Sequence, residues 1–186
     1  MSRTLRPSSR SNGSLAELGE VGVIRRAVRF CPSSSPLLVC GVGDDAAIIR
    51  PSHGRQLLLT TDLLVERIDF DLETWTLDRV GEKALAVNLS DVAAMGGRPT
   101  LFTVGLAIPA RARIAQVDAL YRGLGRAARR YGVVLAGGDL SASPAGWSIE
   151  ITLLGEIEPG RALTRSGAQS DPSTSSRYWI SDQQVM

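Results

Sequence analysis

From Ile114 to Tyr131 the apolar residues Ile114, Val117, Tyr121, Leu124, Ala128 and Tyr131 recur every three or four positions, with Arg122, Arg126, Arg129 and Arg130 between them. That period predicts an amphipathic helix, closed by Gly132. A second helical stretch, Thr76 to Met95, carries Leu77, Val80, Ala84, Leu85, Val87, Leu89, Val92 and Ala93 and ends at Gly96-Gly97. It is apolar nearly all round, which predicts a buried helix. Ser14 and Glu17 have capping-box spacing ahead of Leu18, Val21, Ile24 and Val28, so a first helix is expected over Leu15 to Arg29, weakened by Gly19 and Gly22.

Shorter apolar runs read as strands. Ala46 to Arg50 and Gln56 to Thr61 flank Pro51-Ser52-His53-Gly54-Arg55, the pattern of a hairpin. Leu101 to Ile108 is a strand stopped by Pro109, and Val133 to Ala136 and Ile149 to Leu154 are two more, divided by a polar turn. This order implies a mixed sheet of about four or five strands backed by helices, α+β or α/β, with no internal repeat.

Composition narrows the class. The 186 residues are 44% hydrophobic and 22% charged, material for one core, and 21 basic against 19 acidic residues give a net charge of +2. No charge excess points to nucleic acid. No run reaches the roughly 18 apolar residues of a membrane span. Cys31 and Cys40 form no C-x-x-C pair or disulfide framework, which fits a reducing cytoplasm. Residues 1–13 carry Arg3, Arg6 and Arg10 among serines without the apolar core of a secretion signal, and are expected to be a disordered polar tail.

Candidate chemistry lies in the aspartates. Asp44-Asp45 follow Gly41-Val42-Gly43, Asp62 follows Leu57 to Thr61, and Asp139 follows Gly137-Gly138, so each is expected at an element end. Ends that converge on one rim are where sheet proteins place ligands, and glycines admit phosphate oxygens to backbone N–H groups. Asp91 lies near the carboxyl end of its helix, where the dipole disfavours a negative charge by roughly 0.3–1 kcal/mol. It shares a face with Lys83, Val87 and Ser90, with Asn88 further round, so a buried Lys–Asp pair or a loop anchor stands beside a ligand role. Turn and strand-end roles account for Asp44-Asp45, Asp62 and Asp139 one by one. Only their conjunction favours a site, where converging carboxylates call for Mg²⁺ and phosphate. His53, in the predicted turn, is the sole histidine, and neither a P-loop nor a G-x-G-x-x-G fingerprint is present.

The ordered set Gly43-Asp44-Asp45-Ala46-Ala47, Thr60-Thr61-Asp62-Leu63-Leu64-Val65-Glu66, Lys83 through Gly96 (KALAVNLSDVAAMG), Gly137-Gly138-Asp139 and Thr164-Arg165-Ser166-Gly167-Ala168 resembles the thiamine-monophosphate kinases, from about Glu17 to Ala168. These belong to a superfamily with aminoimidazole ribonucleotide synthetase, selenide water dikinase and a hydrogenase maturation factor. The resemblance implies the amino-terminal-domain fold of that superfamily. It also implies ATP-dependent phosphorylation of thiamine monophosphate to thiamine diphosphate, by direct transfer with several Mg²⁺ ions. It places metal ligands on Asp45, Thr60, Thr61, Asp62, Asp91 and Asp139, with Gly138, Asp139 and Arg165 near the nucleotide, and gives Asp44 a supporting or turn role. It implies no phosphoenzyme and leaves the catalytic residues unassigned, and puts Asp69 where the family often has a substrate-contacting histidine. It further implies a homodimer whose sheets form a shared barrel near the nucleotide. Residues 14–168 are then the ATP- and Mg²⁺-binding domain. The Ser-rich 169–186 resembles linker or out-of-frame sequence in place of a second domain, so the chain is expected to show little kinase activity alone. The alternatives are a non-catalytic dimeric Mg-nucleotide module and another kinase or synthetase of the superfamily.

Overall fold

The computed structural model describes residues 15–167. In chain order the elements are α1 (Leu15–Phe30), β1 (Leu38–Cys40), β2 (Ile48–Ile49), β3 (Gln56–Val65), α2 (Leu77–Ala94), β4 (Arg98–Pro109), α3 (Ile114–Tyr131), β5 (Val134–Ser143) and β6 (Ser148–Ile157), followed by a 3-10 turn, Arg165–Gly167. The expected tails, residues 1–13 and 169–186, and Ser14 of the capping box lie outside the described residues.

Four strands form one sheet in the order β3-β6-β4-β5. β6 runs antiparallel to both β3 and β4, so those two run parallel to each other, and β5 is parallel to β4. The sheet is therefore mixed and the fold is α+β. Helices α2 and α3 lie on one face, each leading from one strand to a strand of the same direction, which sets the two helices parallel. Between them and the sheet sits the core: Phe102, Val104, Ile149, Ile151 and Leu153 from the strands against Val80, Leu85, Val117, Leu120 and Leu124. The periodic positions of α3 are those buried, and Gly132 closes it in the left-handed conformation at φ 68°. Gln116 Oε1 accepts from Arg113 N–H at its start (2.9 Å). A break at Gly19 (φ 63°, ψ 174°) interrupts α1, as its glycines foreshadow.

Two expectations are corrected. Ala46–Arg50 and Gln56–Thr61 do not form a hairpin: β2 pairs with β1, and β3 pairs over all ten of its residues with β6. A ten-residue strand gains a full ladder from β6 and only a fragment of one from two-residue β2. The β1–β2 ribbon instead covers a small apolar cluster of Leu101, Val134 and Ala136 on the sheet's other face. Nor is α2 buried all round. Leu85, Asn88, Leu89 and Val92 are enclosed, whereas Ala86, Ser90, Ala93 and Ala94 are exposed. Alanine counts as apolar in a pattern but tolerates water.

No described helix is long and apolar enough to cross a membrane. Cys31 is buried, its Sγ 3.8 Å from the Tyr121 carbonyl, and burial pushes its thiol up to about 12 although Arg129 pulls the other way. A thiol probe at pH 8 is therefore expected to label half-buried Cys40 and to reach Cys31 only after denaturation, read by peptide mass mapping.

Candidate functional site

One group of polar residues gathers where the last turn of α2 passes β3. Alternation along β3 turns Leu58, Thr60, Asp62 and Leu64 toward the helices. Thr60 Oγ1 donates to Asp91 Oδ2 at 2.7 Å, tying strand to helix. Asp62 Oδ2 is buried with no hydrogen-bond partner. Burial first, and the Asp91 charge second, hold the Asp62 carboxyl above the usual carboxylate range. Asp91 receives no relief from its own helix, whose last turn carries no basic residue. The Lys–Asp pairing does not form, because Lys83 Nζ donates instead to the Asp69 carbonyl at 2.7 Å. Beyond the helix end, Leu163 N–H bonds the Met95 carbonyl (3.0 Å) and brings Thr164 and Arg165 to a 350 Å³ cavity shared with Asp91. Asp91 thus links the Thr60–Asp62 group to the cavity that Thr164 and Arg165 line.

A second group lies at the opposite edge of the sheet. Gly43, at φ 123°, turns the chain after β1, and Asp44 Oδ1 accepts from Asp45 N–H at 2.9 Å, leaving both acids exposed. They border a 410 Å³ cavity with Gly137, Gly138 and Asp139 of β5, backed by apolar Val23 and Tyr121. Burial pushes the Tyr121 hydroxyl well above its ordinary range, so it stays neutral. A side chain at Gly138 would run into the Val104 carbonyl, so the close β4–β5 pairing there requires glycine.

The expected convergence of Asp45, Asp62, Asp91 and Asp139 does not occur within one chain. Asp62, Ile151, Val104 and Gly138 share a row across the sheet, which sets Asp62 about 14 Å, or three strand spacings, from β5. Asp139 falls in the next row, with Gly105 and Glu150, on the face opposite Asp62. Asp62 and Asp139 therefore do not hold one ion together in a single chain, and no set of three or more acids, cysteines or histidines among the described residues could. Both lie inside strands longer than the sequence implies, and not at element ends. Thr61 is on the open face as well, its Oγ1 3.3 Å from Glu150 Oε1 and 3.2 Å from Thr152 Oγ1. Asp69 Oδ2 accepts from Val65 N–H at 2.7 Å within the turn that holds Arg67 at φ 69°. That carboxylate has a folding task of its own.

Sequence reasoning passed over Glu150. It stands beside Thr61 and leans over Gly105, whose missing side chain leaves the way open toward Asp139. Its signal was an acid between two core isoleucines, but strand alternation alone reads that as a solvated position.

Residues 43–157 match the family described as AIR synthase related protein, N-terminal domain. The chain belongs to this family. Within it, the chain is 42% identical over 159 residues to a thiamine-monophosphate kinase of Synechococcus elongatus, an alignment covering 86% of this chain and 46% of that protein. The structure is similar to that of the thiamine-monophosphate kinase from Stenotrophomonas maltophilia K279a, with a TM-score of 0.65 and 36% identity over 83% of this chain and 46% of the other. It is also similar to AaThiL complexed with AMPPCP and TMP, with a TM-score of 0.59 and 34% identity over 90% and 48% of the two chains. The chain thus spans about half the length of the relatives it matches, and the matched half is the AIR synthase related N-terminal domain.

Proposed function

We propose that this chain forms the ATP- and Mg²⁺-binding half of a thiamine-monophosphate kinase, an enzyme that transfers the terminal phosphoryl group of ATP to thiamine monophosphate and releases ADP and thiamine diphosphate. The observation that carries the proposal is the Thr60, Asp62 and Asp91 group, where a buried carboxylate oxygen without a partner lies beside a second carboxylate. The fit to Mg²⁺ is chemical: all donors are hard oxygens, and a cation relieves both the desolvation of Asp62 and its repulsion by Asp91. When bound, the ion neutralises phosphate charge, the main requirement of phosphoryl transfer. Asp62 and Asp91 would hold it, Thr60 fixes the Asp91 carboxylate, and Arg165 would supply a second positive group from the cavity it shares with Asp91. The Gly137–Asp139 and Asp44–Asp45 edge forms a second carboxylate station, with Gly138 exposing backbone to a phosphate.

The open sheet face supports a homodimer: Leu57, Leu59 and Leu63 of β3 are exposed, at 49, 69 and 56%. A second copy laid against this face buries them and encloses Thr61, Glu150 and Asp139. Free thiols support a cytoplasmic site of action. The competing reading is a Mg-nucleotide-binding module without turnover.

Titration calorimetry with ATP, in Mg²⁺ or in EDTA, tests the proposal. Binding is expected to contain a Mg²⁺-dependent component that is lost in EDTA, and Asp91→Asn is expected to weaken that component about tenfold or more while the thermal midpoint holds. Equal binding in EDTA, or unfolding of Asp91→Asn with no separate binding defect, refutes it. Thiamine diphosphate formation, followed by chromatography, separates a kinase from a binding module.

A further inference from the structure

On the outer surface of the helix layer, away from both carboxylate groups, α2 and α3 part to leave a groove of 620 Å³. The two parallel helices touch backbone to backbone at Gly81 and Gly123, and diverge beyond that point over the small residues Ala86 and Ala127. Trp75 stands at one end of the groove and Tyr131 at the other, 38 and 49% exposed.

The charge of this groove is one-sided. Arg126 lies between Asp78 and Glu82, bonded to both, so its position is fixed and the trio carries one net negative charge, which the three further cations outweigh. Arg79 and Arg130 have no acidic partner among the described residues. Lys83 is anchored by a neutral carbonyl, that of Asp69, and has no acidic partner among the described residues. Each aromatic ring already has a cation against it, Lys83 Nζ 5.4 Å from the Trp75 centroid and the Arg130 guanidinium 5.5 Å from that of Tyr131. Three uncompensated cations between two exposed rings match a ligand that is planar at one end and doubly negative at the other. The volume lies within the roughly 300–1,000 Å³ of small-molecule sites.

We propose that the α2–α3 groove is a second ligand site, which binds a phosphorylated aromatic compound of mononucleotide size, its ring against Trp75 or Tyr131 and its phosphate between Arg79, Lys83 and Arg130. The site needs no metal, which separates it from the carboxylate groups.

The probe is adenosine 5′-monophosphate in EDTA, titrated into the purified chain by calorimetry and by ¹⁵N–¹H spectra of the three tryptophan indoles, the Trp75 peak assigned with Trp75→Phe. Saturable binding is expected to shift the Trp75 indole and leave buried Trp147 in place. The double variant Arg79→Glu, Arg130→Glu, altered at two exposed positions, is expected to bind at least about tenfold more weakly, as are adenosine and inorganic phosphate toward the unaltered chain. Should the charge reversals disturb the fold, as judged by the thermal midpoint, Arg79→Gln with Arg130→Gln replaces them. The proposal is overturned if the mononucleotide does not bind in EDTA, or leaves the Trp75 indole unmoved. It is equally overturned if both arginine variants bind as tightly as the parent, or if phosphate alone binds as tightly as the mononucleotide.

Discussion

Replacing Gly123 by valine is expected to unfold the domain. A β-carbon at Gly123 falls far inside van der Waals contact with the Asp78 carbonyl oxygen, and one at Gly81 does the same with the Leu120 carbonyl. Neither neighbour is a side-chain tip that can rotate away. Both are helical backbone, so relief requires α2 and α3 to separate. Separation opens the layer of Val80, Leu85, Val117, Leu120 and Leu124, all fully buried. Overpacking a core costs about 1–3 kcal/mol where side chains can adjust; here backbone must move, and the loss is expected to be about 3 kcal/mol or more, a large share of a domain's stability. Urea unfolding followed by circular dichroism reads it. A Gly123→Val midpoint near that of the parent would mean that the helices do not meet as closely as described. Gly137, where an added β-carbon meets nothing within 4 Å, serves as the comparison, with a small effect expected from Gly137→Ala.

Asp62→Asn is expected to do the reverse in the metal-free protein and raise its thermal midpoint by a few degrees. The Asp62 carboxyl is held above its ordinary range in the fold by burial and by Asp91. A carboxyl whose folded pKa exceeds its unfolded one favours the protonated fold, so the penalty is absent below the unfolded pKa. It grows as pH rises toward the folded pKa and is complete above it. Metal-free stability should therefore fall as pH rises from the ordinary carboxylate range, and Asp62→Asn should flatten that slope. Mg²⁺ is expected to restore the parent at pH 7 and to do almost nothing for Asp62→Asn, whose uncharged amide is a poorer ligand. Scanning fluorimetry in EDTA and in MgCl₂ across pH decides this. A parent that gains nothing from Mg²⁺, or an Asp62→Asn protein that gains as much, removes the metal role from Asp62.

Element type along the chain was largely legible. α3 follows its apolar period from Ile114 to Tyr131, and Gly132 stops it in the left-handed conformation that glycine adopts without strain. β4, β5 and β6 are where their apolar runs predict them, but β5 continues through Gly137-Gly138-Asp139 to Ser143. Those residues read as a turn because glycine and aspartate disfavour strands. The β4 partner overrides that preference, since a parallel ladder from Leu101 to Pro109 satisfies their backbone groups. The same override carries β3 past Asp62 to Val65 against β6.

The site divides in the same way. Local pattern determined that acids follow glycine-rich or threonine-rich phrases, that Asp91 opposes its helix dipole, and that an ordered motif set runs through them all. It could not determine which acids meet, because distance across a sheet depends on strand order and the facing side on register. The order β3-β6-β4-β5 put Asp62 and Asp139 on opposite edges, and a one-residue step between their rows put them on opposite faces. Tertiary structure likewise turned Lys83 from Asp91 to the Asp69 carbonyl, gave Asp69 to a turn, and set Glu150 beside Thr61. A sequence records the chemistry each residue brings and the period with which it turns inward. Only the long-range pairing of strands, selected by satisfied backbone and buried surface, decides which residues become neighbours.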